Sequence, residues 1–128
     1  MKKEDLINWG VKDIYFDGDR PVIIKEALHH NGWHDKGDIY KALIREIKGH
    51  NKYVLPKTYL GVVLNQRIIP LHRVIYAWFN GEVDDNLEID HIDHNPFNNT
   101  VENLRQVDRK TNLNSKLVQN NQWAYKEK

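Results

Sequence analysis

Asp90-His91, Asn103 and Asn112 are the residues of this sequence whose types and spacing could do chemistry. A hard divalent cation such as Mg²⁺ prefers oxygen ligands and keeps several of its waters. Asp90 at a strand end, and the amide oxygen of Asn112 one turn into a helix 22 residues later, would supply two such ligands. His91 follows directly, and a neutral imidazole, with a pKa of about 6.5, is a suitable base for activating water. Strand alternation turns its side chain to the other face of the strand unless the strand end twists. Taken singly, Asp90-His91 reads as a surface acid and histidine, Asn103 as a turn residue and Asn112 as a solvated helix residue. Their order along the chain is what gives them weight.

That order depends on the elements that hold them. Leu87–His91 reads as a strand, with Leu87 and Ile89 alternating against Glu88 and Asp90. The polar loop Asp93-His94-Asn95-Pro96-Phe97-Asn98-Asn99 follows, Asp93 being a turn organiser or an acid close to the site. Leu104–Val107 pairs back as a second short strand, and Asp108 caps a helix carrying Leu113 and Leu117. Upstream, Lys57–Leu64 and Arg67–Leu71 read as a hairpin joined at Asn65-Gln66, and His72–Phe79 as a helix ended by Asn80-Gly81.

Closer to the N-terminus, residues 3–9 form a short helix and Asp17-Gly18-Asp19 a turn. Pro21 opens a helix running to about His30, with a strand over 22–25 as the alternative. Asp38 caps a helix over 39–48, with Ile39, Leu43 and Ile47 at i, i+4 and i+8. These two helices faintly resemble a helix-turn-helix, although Asn31–Gly37 is longer than its usual turn. His30 and His34 are spaced i, i+4, but Gly32 and Trp33 break any helix that would aim them at one metal. The expected organisation is an α+β fold with a small, mostly helical N-terminal extension over 1–56, with DNA contact as one reading of it. A core over 57–119 and a loose tail over 120–128 complete it, Trp123 and Tyr125 packing on their own domain or stacking on a base.

The composition narrows the function. With 128 residues the chain suits one domain, and zero cysteines exclude a disulfide scaffold, a thiol nucleophile and any cysteine-bound zinc. No apolar run is long enough to span a bilayer, and Met1-Lys2-Lys3-Glu4-Asp5 does not open a signal peptide. The expected compartment is the cytoplasm, with no membrane partner. A net charge of +1 argues against nucleic acid at first, yet it conceals a mosaic. Residues 1–81 carry +4, residues 82–102 carry seven acids and no lysine or arginine, and residues 103–128 carry +4 again.

Several stretches in order complete the picture: Leu71-His72-Arg73-Val74-Ile75-Tyr76-Ala77-Trp78-Phe79-Asn80-Gly81, Glu88-Ile89-Asp90-His91-Ile92-Asp93, Asn95-Pro96-Phe97-Asn98-Asn99, Glu102-Asn103-Leu104-Arg105 and Thr111-Asn112. Over about residues 58–114 the sequence resembles the HNH endonuclease superfamily, and within it the small phage enzymes and their intron-borne homing relatives. The resemblance implies a ββα-metal core preceded by a β-hairpin and helix. It implies Asp90 and Asn112 as ligands of Mg²⁺ or Mn²⁺, His91 as general base, and Asn103 as the residue that fixes the loop between the strands. Relatives often have histidine at the position of Asn112 and glycine at that of His94, so an altered turn or an extra imidazole is expected there.

The reaction implied is hydrolysis of a DNA phosphodiester, by nicking or double-strand cleavage. His72, Arg73, Arg105, Arg109 and Lys110 are the residues expected against DNA. His72-Arg73 has the plainer reading of a helix start, a packed ring and a solvated charge. A lone site cuts one strand, so cutting both requires a homodimer or two successive nicks. A non-catalytic DNA-binding module of the same fold, within a phage packaging or recombination complex, is the alternative function.

Overall fold

In the computed structural model, which describes residues 1–30, 32–51 and 54–108, Asn65 and Gln66 both take left-handed backbone angles, φ 52° and 62°. A two-residue hairpin turn needs that pair of conformations to match the right-handed twist of its strands. The turn joins β5 (Val54–Leu64) to β6 (Arg67–Pro70), with Leu64 opposite Arg67. The expected hairpin is present without a glycine in its turn. Gln66→Gly is therefore expected to stabilise the protein by about 0.5–1 kcal/mol, because only glycine adopts φ > 0 at no steric cost. A thermal melt checks this, and an unchanged or lower midpoint would count against it.

Pro70 leads directly into the helix α2 (Leu71–Asn80). Leu71, Val74, Ile75 and Ala77 recur at helical spacing and are fully buried on one face. The helix stops at Gly81, whose φ is 92° and whose N–H donates to the Ala77 carbonyl at 2.8 Å. Past it, β7 (Glu88–His91) and β8 (Leu104–Val107) form an antiparallel pair, separated by a loop and a single 3₁₀ turn at Val101–Asn103.

The N-terminal part corrects the sequence reading. The short helix α1 (Lys3–Asn8) is present, and Gly18 sits at φ 66° in the turn between β1 (Val11–Asp17) and β2 (Arg20–Glu26). The helix expected from Pro21 to His30 is β2, the alternative strand reading being the right one: Val22, Ile23 and Ile24 are β-branched and pair with Tyr15, Ile14 and Asp13. The helix expected over 39–48 is also absent. Its place is taken by β3 (Ile39–Lys41), paired to β2, and β4 (Ile44–Asn51), paired to β5 from Ile44↔Val62 onward. The apolar stripe behind that helix is not a buried face, since Ile39 is 58% and Leu43 69% exposed. The extension is thus mostly strand rather than mostly helix, and the helix-turn-helix likeness falls with it.

The described residues form an α+β fold of three small antiparallel sheets, ordered β1-β2-β3, β4-β5-β6 and β7-β8. Leu6 of α1, Val11 and Ile14 of β1 and Ile23 of β2 share one buried cluster with Val62, Leu64, Leu71, Val74, Ile75, Val83, Ile89 and Leu104. The start of the chain is stitched to the segment that follows α2. The Lys3 N–H donates to the Gly81 carbonyl at 2.8 Å, and the Val83 N–H to the Met1 carbonyl at 2.7 Å. The helix α2 packs against both strands of the hairpin and against β7 and β8. None of the described helices is long and apolar enough to cross a membrane.

Candidate active site

Asp90 lies in β7 directly opposite Arg105 in β8. Its side chain is only 4% exposed, and a carboxylate so buried needs a partner. Arg105 provides it, with Nε donating to Oδ2 at 3.0 Å and the terminal guanidinium nitrogen 2.9 Å from the same oxygen. Both contacts fall on Oδ2. The next residue, His91, faces Leu104 across the ladder and turns its ring to other partners. Its Nε2 lies 2.8 Å from the Asn99 Oδ1. The ring of His72, on α2, meets it edge-on, with centroids 5.0 Å apart and planes at 73°.

The loop between the strands is held by side chains. Asn103, 8% exposed, accepts a hydrogen bond from the Asp93 N–H at 3.0 Å through Oδ1. Its amide nitrogen donates to the Asp93 Oδ1 and to the Asn98 carbonyl, each at 2.8 Å. Asp93 also accepts from the Asn95 N–H and from the Asn98 amide, both at 2.8 Å. Asn95 accepts in turn from the Phe97 N–H at 3.0 Å. This chain of local side-chain-to-backbone bonds makes Asp93 a turn organiser. His94 adopts φ 61°, with its N–H donating to the His91 carbonyl at 2.9 Å. The turn thus asks for the left-handed backbone that glycine prefers, and histidine occupies it.

Asp93 carries the electrostatic signature of that network. The Asn98 amide foremost, then the Asn95 N–H, the Asn103 amide and the nearby His91, hold its carboxyl below the ordinary value, against a contrary push from burial. A carboxyl depressed in the folded state stabilises above its unfolded pKa of about 4, and that contribution is lost as pH falls through the lowered value. Loosening of the loop is therefore expected only below about pH 4. Hydrogen exchange at the Asn95 and Phe97 amides, followed downward from pH 6, checks this. Loosening that began near pH 6 would assign the loop's order to another group.

Three of the five residues expected against DNA are described. His72 lies beside His91. Arg73, on α2, is 3.6 Å from the Asp85 Oδ1, and Arg105 is paired with Asp90. Arg109, Lys110 and Asn112 lie outside the described residues, as do the helix expected after Asp108 and the tail with Trp123 and Tyr125. The acidic stretch is not one patch. Asp90 and Asp85 face arginines, Asp93 faces amides, and Asp84 accepts from the Asn86 N–H at 2.8 Å.

Among the described residues, no three of histidine, cysteine, aspartate or glutamate gather into a metal-binding group. Asp90, a buried carboxylate, is an oxygen donor of the kind a hard cation takes, and Asn112, the second ligand expected, lies outside the described residues. The sequence reading missed Asn99, which is 1% exposed and holds the His91 ring. In an asparagine-rich turn region it reads as one more turn residue, and only the folded loop separates it from its neighbour Asn98.

Comparison with known proteins bears on the same segment. Residues 70–114 match the HNH endonuclease family, from the start of α2 through β8 and beyond. A protein of Acanthamoeba polyphaga mimivirus named as an uncharacterized HNH endonuclease is 35% identical over 71 residues, 55% of this chain and 38% of that protein. The chain thus spans about two fifths of the length of that relative. No solved structure matches it.

Proposed function

With residues 70–114 belonging to the HNH endonuclease superfamily, we propose that this chain is a metal-dependent DNA endonuclease of the small phage or homing type, with residues 57–119 as its nuclease core. The observation that carries the reading is Asp90, a buried carboxylate at the end of β7, followed at once by a histidine whose ring is held on one edge. Asp90 and Asn112 would hold one Mg²⁺ or Mn²⁺, which when bound neutralises charge on the phosphate and on the departing oxygen.

The residues of the chain do the rest. His91 takes a proton from water, and the oxygen attacks phosphorus in line. The bond from phosphorus to the 3′-oxygen breaks, leaving 5′-phosphate and 3′-hydroxyl ends. Asn103 keeps the loop that follows His91 and carries Asp93 in register with β8 through its three hydrogen bonds. Arg73, Arg109 and Lys110 grip flanking phosphates, and Arg105 shares itself between Asp90 and the strand being cut. His72 lines the approach to His91.

Supercoiled plasmid is the direct test. Nicked circles should accumulate with Mg²⁺ or Mn²⁺ and should be absent with EDTA. DNA binding with no cleavage under any divalent cation would favour the non-catalytic module instead.

A further inference from the structure

We propose that Asn99 is a positioning residue for the general base: it fixes the tautomer and the rotation of the His91 ring so that Nδ1 carries the free electron pair. The proposal deepens the reading above and rests on His91 acting as the base.

Asn99 is 1% exposed, and a buried carboxamide must satisfy both of its ends. One end faces the Pro96 carbonyl oxygen at 3.3 Å, the other the His91 Nε2 at 2.8 Å. A carbonyl oxygen only accepts, so the end facing Pro96 has to be the amide nitrogen. That leaves Oδ1 facing the imidazole, and Oδ1 also only accepts. The partner nitrogen must therefore bear a proton. A neutral imidazole carries one, so with Nε2 protonated Nδ1 is bare.

The same contact fixes the rotation of the ring. Turning it half-way round would bring a carbon to the Asn99 oxygen and lose the 2.8 Å hydrogen bond. The His72 ring, edge-on at 5.0 Å, limits tilting from the side. A base of this kind works only if its electron pair points at the water to be deprotonated, so a residue that selects the nitrogen selects the geometry of attack.

The test uses the full chain with histidine labelled in its ring nitrogens. In the wild type without metal, at about pH 8.5 where an ordinary imidazole is neutral, long-range nitrogen–proton spectra should show His91 with Nε2 protonated and Nδ1 bare. Asn99→Ala should give a mixture of the two tautomers. It should also lower kcat about 10–100-fold, with KM for DNA within about twofold. Asn99→Asp keeps an acceptor on Nε2 and should keep the wild-type tautomer, although its second oxygen then faces the Pro96 carbonyl and lowers stability. Should Asn99→Ala not fold, the wild-type spectrum and Asn99→Asp carry the test.

A wild-type ring protonated on Nδ1 would overturn the proposal. So would an Asn99→Ala protein with an unaltered tautomer and unaltered kcat. The spectrum is read without cleavage, so an inactive wild type showing the expected tautomer would sink the nuclease reading and leave the role of Asn99 in holding the ring intact.

Discussion

Replacing His91 by alanine is expected to slow DNA cleavage by about 10²–10⁴-fold, the span that a positioned general base contributes. DNA affinity should change by no more than about twofold, because one neutral ring adds little to a binding energy dominated by phosphate contacts. Stability should also move little. The ring is half-buried, and its removal costs the hydrogen bond to Asn99 and the edge contact with His72. Together these are worth about 1–2 kcal/mol, partly recovered as water reaches the Asn99 oxygen. The measurement is plasmid nicking under single-turnover conditions, paired with a thermal melt. Robust metal-dependent nicking by His91→Ala would remove His91 from its assigned role.

Asn103→Ala should fail in the opposite way, through the fold. The side chain is 8% exposed and makes three hydrogen bonds, to the Asp93 N–H, the Asp93 carboxylate and the Asn98 carbonyl. Truncation removes all three and leaves the Asp93 N–H and the Asn98 carbonyl, both in a partly buried loop, without that partner. The expected cost is about 2–4 kcal/mol, a large fraction of a total stability of about 5–15 kcal/mol. Cleavage should fall with it, since the loop carrying Asp93 then keeps only the backbone bond from the Ile92 N–H to the carbonyl of residue 103 as its tie to the start of β8. Asn103→Asp sharpens the test. It preserves shape but sets an oxygen where a nitrogen donates to the Asp93 carboxylate, so it should be nearly as damaging at neutral pH. Urea midpoints of both variants decide the matter, and an Asn103→Asp protein as stable as wild type would show that the donated bonds contribute nothing.

The segment from β5 to β8 was legible in the sequence because its signals are local. Asn65-Gln66 takes the two left-handed conformations of a tight turn, Gly81 stops α2 by its own backbone freedom, and 88–91 pairs with 104–107 as expected, although Ile89 and Asp90 are both buried rather than alternating. Residues 39–48 were not legible, and the reason is arithmetic. Ile39, Leu43 and Ile47 are four apart, and four is both close to a helical turn and an even number. The same residues therefore share one face of a helix or one face of a strand. Only pairing with other strands decides between them: Ile39 pairs with Glu26 of β2, and Ile47 with Tyr59 of β5.

Within the candidate site, Asp90, His91 and Asn103 are singled out by motif order alone, but their partners were not readable. Arg105 was expected against phosphate and sits on Asp90 because the ladder pairs those two positions. Register is a property of two strands together. Asn99 was invisible for a related cause: burial is decided by the closed loop, and nothing in the run Asn98-Asn99 says which of the two turns inward.

The bonds that close that loop are hydrogen bonds of amide, carboxylate, hydroxyl, imidazole and backbone groups, in a chain with no cysteine. Such a fastening is indifferent to redox potential, so the loop keeps its shape in a reducing or an oxidising medium alike. It also contains no metal–sulfur bond for a chelator to pull apart. Under the metal-dependent reading proposed above, a loss of nicking on adding a chelator is then read as lost chemistry, whereas in a zinc-stapled relative the same result would be confounded with unfolding.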